Sequence, residues 1–267
     1  MIHKAKKSLG QNFLKSQPAL NKMCEEGEVN EKDIILEIGP GKGALTEKLL
    51  EKSLQVIAIE KDYDLIAILE EKFQEEIKNK KLILLNEDIL DFDPISYFKN
   101  KNYKIIANIP YNITGAIFKK FLSSIKQPEK MVLLVQKEVA ERIVARDGKE
   151  SILSLSVKAY GVARYVMKVS KRFFSPSPKV DSAIISISNI SKNNFKSDEE
   201  EKNFFNVVKS GFAHKRKVLR KNLENLQKES GQIDKIFEKL KIDSKTRAEE
   251  VKIEKWLLIS INLSTEI

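Results

Sequence analysis

The chain has 267 residues, enough for one large domain or two modest ones around a buried core. A composition of 42% apolar and 32% charged residues excludes a disordered chain, and no apolar run approaches the ~20 residues of a membrane span. A single cysteine, Cys24, excludes an internal disulfide, the two histidines His3 and His214 form no zinc-ligand pattern, and 48 basic against 38 acidic residues, a net +10, suggest a polyanionic partner.

The N-terminus, "MIHKAKKSLG", is basic without an apolar stretch behind it, so no signal peptide is expected and a reducing cytoplasm fits the cysteine usage. Residues 1–24 hold five lysines and no acid. From 33 to 136, short β-branched runs alternate with helical patterns. "DIILEIG" is followed by "ALTEKLLEK", then "QVIAIE" by "DLIAILEEKFQEEI". "KLILLNED" and "YKIIAN" come next, and "ITGAIFKKFLSSI" leads to "KMVLLVQ". Such alternation predicts right-handed crossovers and a parallel sheet covered on both faces.

The pattern then changes. "EVAERIVA" and "SILSLSVKAYG" read as helical. "ARYVMKVS" and "DSAIISIS" read as strands, split by the proline-broken "KRFFSPSPKV", and they suit an antiparallel pair that finishes the sheet. "NISKNNFKSDEE" reads as a polar linker, and everything from about 198 onward reads as helix. The expected organisation is an α/β domain over 1–190 and a small all-helical domain over 191–267. A second acid-free stretch, 202–223, carries seven Lys or Arg. Two such stretches point to nucleic acid more strongly than net charge does.

Chemistry is expected where the strands end. "LEIGPGKGALT" places Gly39, Gly41 and Gly43 between a strand and a helix, a loop that lets a ligand approach the backbone and meet helix N–H groups. The spacing is wrong for the dinucleotide fingerprint, and Lys42 is not followed by Ser or Thr as a phosphate loop requires. Glu60 ends the second strand, where an acid can accept ribose hydroxyls. Asp88, in "NEDIL", suits either an adenine amino group or a plain turn or helix cap. Asn108 closes the fourth run in "ANIPYN". Together these line the carboxyl edge of one parallel sheet, where α/β folds bind ligands.

In this order, "LEIGPGKGALT", "VIAIE", "NEDIL" and "ANIPYN" resemble a class I S-adenosylmethionine-dependent methyltransferase with a Rossmann-like sheet. "SLGQNFL", "LVQKEVAERI", "FSPSPKVDSA" and "GFAHKRKVLRKNL" narrow the resemblance to the ribosomal RNA adenine dimethyltransferase family, KsgA/RsmA type, over essentially the whole chain. The resemblance implies cofactor contacts from Asn12, Leu14, Gly39, Gly41, Glu60, Asp88 and Asn108. It implies N6,N6-dimethylation of two adjacent adenosines in a hairpin loop near the 3′ end of small-subunit rRNA. No metal is implied; the partner would be small-subunit rRNA in a pre-ribosomal particle, and the enzyme a cytoplasmic monomer. Ile109, second in the Asn-Ile-Pro-Tyr motif, also occurs in the Erm enzymes of large-subunit rRNA, which stay as the alternative.

Methylating an adenine amine needs positioning, and acceptors that meet positive charge developing on nitrogen. The Asn108 side-chain carbonyl and a main-chain carbonyl beside Pro110 are the expected acceptors. Tyr111 is the expected stacking surface, and Phe174 its counterpart on the other face of the base, with Phe173 in the core. "HKAKKSLGQNFL" is expected to be a flexible basic arm leading into the cofactor lid. Lys215, Arg216, Lys217, Arg220 and Lys221 are expected to form a phosphate-binding face.

Overall fold

A computed structural model describes residues 5–6, 9–226 and 229–264. A two-residue strand β1 (Phe13–Leu14) precedes α1 (Gln17–Glu26), whose first turn is capped by the Ser16 hydroxyl. The alternating region forms β2 (Ile34–Ile38), α2 (Ala44–Lys52), β3 (Gln55–Glu60), α3 (Tyr63–Lys72), α4 (Gln74–Lys78) and β4 (Leu82–Asn86). It continues with α5 (Pro94–Phe98), β5 (Lys104–Asn108), α6 (Thr114–Leu122) and β6 (Lys130–Gln136). Next come α7 (Lys137–Ile143), α8 (Ile152–Lys158), β7 (Val162–Val169), β8 (Phe174–Ser175) and β9 (Ser182–Ser188). The C-terminal helices are α9 (Asp198–Gly211), α10 (Leu219–Leu223), α11 (Gln232–Lys239) and α12 (Ile253–Ser264).

The main sheet has the order β4-β3-β2-β5-β6-β9-β7. From β4 to β6 the pairings are parallel, and β9 runs antiparallel to both its neighbours. This is the expected parallel sheet with a terminal antiparallel pair. All five residues of β2 are buried, as a strand covered on both faces requires. The chain runs outward from β2 to β4 and returns to β5 on the other side of β2. The ligand crevice of an α/β sheet opens at such a switch point. Glu60, Asn86 and Asn108 close their strands at this carboxyl edge, and Gly39 follows the last residue of β2. Separately, β1 pairs with β8, Leu14 opposite Phe174.

Two compact units emerge. One contains the described residues up to Ala140 together with Val162–Ile190; the other contains Glu141–Gly161 and the described residues from Ser191 onward. Residues 141–161 therefore belong with the C-terminal helices, not with the domain of 1–190 expected from sequence. Their ties are specific: Glu150 N–H donates to the Glu249 carbonyl at 2.7 Å, Lys149 pairs with Glu249 at 2.8 Å, and Tyr160 donates to Glu201. The expected linker is docked too. Phe195 packs against Tyr160 and Phe204 at 5.8 and 5.5 Å between ring centroids, and Asn194 Nδ2 donates to the Ala159 carbonyl. Phe195 pins the segment through its ring contacts while most of the polar residues around it stay exposed.

Candidate active site

The glycine loop is built for close approach. Gly39, Gly41 and Gly43 all have positive φ, at 66°, 60° and 76°. At Gly41 a Cβ would stand 2.9 Å from Phe13 Cδ1, and at Gly43 one would stand 2.5 Å from Phe73 Cε2. Only glycine satisfies both the dihedral and the space. Gly43 caps α2 without a side chain, so the first turn keeps its amide donors. The Lys42 ammonium lies 5.1 Å from the Phe13 ring centroid.

Glu60 holds this loop from the neighbouring strand. Its carboxylate accepts Gly41 N–H at 3.2 Å and Asp62 N–H at 2.9 Å. Burial pushes its pKa up, and those amides oppose the rise. Asp88 accepts Lys61 Nζ at 2.7 Å and Leu90 N–H at 2.9 Å, which together hold its carboxyl below the usual range. The bond to Leu90 is a turn contact, so one oxygen serves local structure while the residue still faces the cavity.

"ANIPYN" is fastened from two sides. Asn108 Nδ2 donates to the Asn12 carbonyl at 3.1 Å, which sets the amide orientation and leaves Oδ1 as an acceptor. The Pro110 carbonyl accepts Ile113 N–H at 3.3 Å, closing a 3₁₀ turn over Tyr111–Ile113. The Tyr111 hydroxyl lies 2.7 Å from the Ser182 hydroxyl at the start of β9, and burial raises its pKa. Ile109 is 2% exposed, so the choice of Ile at this position concerns packing as much as substrate.

These residues line a cavity of about 470 Å³. Asn12, Leu14, Gly39, Gly41, Glu60, Asp88, Asn108 and Tyr111 all contribute to its wall. Leu14 is 5% exposed with its side chain in the core, so its offering to a ligand is mainly backbone.

A family model for ribosomal RNA adenine dimethylases matches residues 2–265. The chain belongs to the ribosomal RNA adenine dimethylase family. Relatives agree along nearly the full length. Ribosomal RNA small subunit methyltransferase A of Fusobacterium nucleatum is 40% identical over 259 residues, covering 96% of this chain and 97% of its own. The Mycoplasmopsis pulmonis protein of the same name is 41% identical over 264 residues, covering 97% and 99%. Among solved structures, a dimethyladenosine transferase from Plasmodium falciparum superposes with a TM-score of 0.80 at 26% identity, over 94% of this chain and 97% of that one. The 23S rRNA methyltransferase ErmE reaches 0.78 at 24% identity, over 95% and 100%, a likeness of fold.

In this adenine dimethylase the two adjacent phenylalanines are disposed opposite to the sequence expectation. Phe174, expected at the base, is 5% exposed and packs in the core, paired to Leu14 across the short ladder; it does not line the cavity. Phe173, expected in the core, is 37% exposed. The β1–β8 pairing seats Phe174 against Leu14, whereas Phe173 belongs to the 3₁₀ turn Lys171–Phe173 that precedes β8.

Sequence reasoning also missed how the dimethylase anchors its N-terminal segment. Asp62, whose side chain is fully buried, accepts Gln11 Nε2 at 2.6 Å and Lys6 Nζ at 2.5 Å, while Gln11 Oε1 accepts Lys6 N–H at 2.8 Å. The expected flexible arm is thus fastened at Lys6; residues 1–4 and 7–8 lie outside the described residues. Asp62 also caps α3, a duty legible in "EKDYD", but its long-range partners are not. Ser182, inside "PKVDSA", is a second missed residue. In the helical unit, Lys215, Arg216, Lys217 and Lys221 are exposed, but Arg220 is clasped by Asp234 and lies 3.6 Å from Glu224. The expected five-residue basic face is therefore four.

Proposed function

We propose that this chain transfers methyl groups from S-adenosylmethionine to the N6 amines of two adjacent adenosines in a 3′-terminal hairpin loop of small-subunit rRNA, during ribosome assembly. The carrying observation is that eight residues from five separate sequence motifs line one cavity. Relatives named for the small subunit, at about 40% identity over nearly full length, support this substrate over the large subunit. ErmE, at 24% identity, speaks to the fold alone.

The residues present fit the donor. The cavity volume lies within the range of roughly 300–1,000 Å³ that small-molecule sites occupy. Each Glu60 oxygen has one amide partner and a further lone pair for a ribose hydroxyl; Asp88 offers the same to an adenine amino group. When bound, S-adenosylmethionine supplies an electrophilic methyl, so no strong base is required to begin. Asn108 Oδ1 accepts one hydrogen of the target amine. Because the Pro110 carbonyl closes its own turn, the Ile109 carbonyl serves as the second acceptor. Both meet charge that grows as nitrogen becomes tetrahedral, and so favour the transition state over the ground state. Tyr111 stacks on the flipped base, its ring held by Ser182, which offsets about 1–3 kcal/mol of lost stacking. In this reading the exposed lysines and arginine before and in α10 contact phosphates, and the enzyme works as a cytoplasmic monomer.

The test uses labelled S-adenosylmethionine with unmethylated small subunits, large subunits or DNA, followed by mass spectrometry of the RNA. Dimethyladenosine is expected in small-subunit RNA only. Asn108→Ala should lower turnover at least about a hundredfold, the scale of one lost transition-state acceptor, and cofactor affinity far less. Label confined to the large subunit would overturn the substrate assignment, and an unimpaired Asn108→Ala would overturn the role of the amide.

A further inference from the structure

Phe173 remains unused by the site as described. It ends a 3₁₀ turn over Lys171–Phe173 and is 37% exposed, unusual for a phenylalanine with a buried neighbour. The Arg172 guanidinium lies 5.0 Å from its ring centroid. The turn is held from several directions. Lys15 N–H donates to the Phe173 carbonyl at 2.8 Å, and Lys171 N–H donates to Asp181 Oδ1 at 3.0 Å. Lys15 itself lines the cavity. Asp181 precedes Ser182, whose hydroxyl holds Tyr111. The exposed ring therefore stands on backbone continuous with both the cavity wall and the expected base-stacking tyrosine.

Its surroundings are cationic. Residues 162–180 contain Arg164, Lys168, Lys171, Arg172 and Lys179 and no acid. Arg164 pairs with Glu26 and Lys168 with Asp181, while Lys171, Arg172 and Lys179 are exposed, as is Val180 at 44%, and Lys171 Nζ reaches the Lys179 carbonyl at 3.4 Å. An exposed aromatic with a guanidinium beside it, on a segment with exposed lysines, is the arrangement that binds single-stranded nucleic acid: bases stack on the ring and the cations meet the backbone.

We propose that Phe173 and Arg172 form a stacking platform for a nucleotide flanking the target adenosine, so that the rRNA loop is gripped at two bases, one on Tyr111 and one on Phe173. This rests on the methyltransferase reading above and names a further contact for its RNA. The platform lies outside the cofactor cavity, so it acts on RNA binding and not on the methyl donor.

The test is steady-state methylation of unmethylated small subunits by the full chain carrying Phe173→Ala, Phe173→Leu or Phe173→Tyr, with S-adenosylmethionine affinity measured alongside. Phe173→Ala and Phe173→Leu should each raise KM for small subunits about tenfold, the loss falling on KM more than kcat. Phe173→Tyr should restore the wild-type KM, because it keeps the π face. An active wild type with an unchanged KM in Phe173→Ala overturns the platform alone. So does a Leu variant as good as Tyr, since packing then suffices. A wild type that methylates no small subunit overturns the functional reading and the platform with it.

Discussion

Glu37 offers the sharpest quantitative test of how this site is built. It lies on β2, two residues before Gly39, is 1% exposed and contributes to the cavity wall. Among the described residues its Oε2 has no hydrogen-bond partner. Burial, aided by the nearby Glu60 charge and opposed by Thr46 and Lys72, pushes its pKa from 4.5 up to about 8. In the unfolded chain the side chain ionises near its ordinary value, so between pH 4.5 and 8 the folded state holds a proton that the unfolded state has lost. Stability must then fall as pH rises through that window and level off above it. At about 1.4 kcal/mol per pH unit, the full window amounts to about 5 kcal/mol, an upper bound because relaxation lowers it. Glu37→Gln keeps the shape and removes the titration. Urea unfolding of both proteins at pH 5, 6, 7 and 8 should show the variant gaining on wild type by several kcal/mol from pH 5 to 8. Other acids, Glu60 included, titrate in both proteins and largely cancel in the difference. A difference that stays constant across this range would refute a buried, protonated Glu37.

Gly41→Ala forces a residue with φ near 60° and pushes a Cβ into Phe13, so it should cost about 1–3 kcal/mol and weaken S-adenosylmethionine binding, read by thermal melting and calorimetry. Asp62→Asn keeps the α3 cap but removes the buried one of the two carboxylates on Lys6, leaving Asp64 at 2.8 Å; limited trypsinolysis should then cut at Lys6 faster, and faster still with Asp64→Asn added, while global stability changes little. Tyr111→Phe leaves the buried Ser182 hydroxyl without its partner and should cost about 1–3 kcal/mol in denaturant, yet retain more methyl transfer than Tyr111→Ala.

The sheet was readable from the chain because its signals are local. Apolar β-branched runs, separated by helical spacing and glycine, predict β2 to β6 and the antiparallel finish of β7 and β9, since burial on both faces demands such runs wherever the strand sits. The glycine loop and the acids at strand ends were legible for the same reason: positive φ needs glycine, and a parallel sheet brings its carboxyl ends to one edge. Tertiary structure decided what depends on a distant partner. Which of Phe173 and Phe174 is buried follows from pairing with β1. The orientation of the Asn108 amide follows from a carbonyl 96 residues away, and the seat of Tyr111 from a serine 71 residues away. That residues 141–161 join the C-terminal helices follows from Lys149, Tyr160 and their partners in later segments. Periodicity tells a residue which side of its own element it occupies; only the packed chain says what waits on that side.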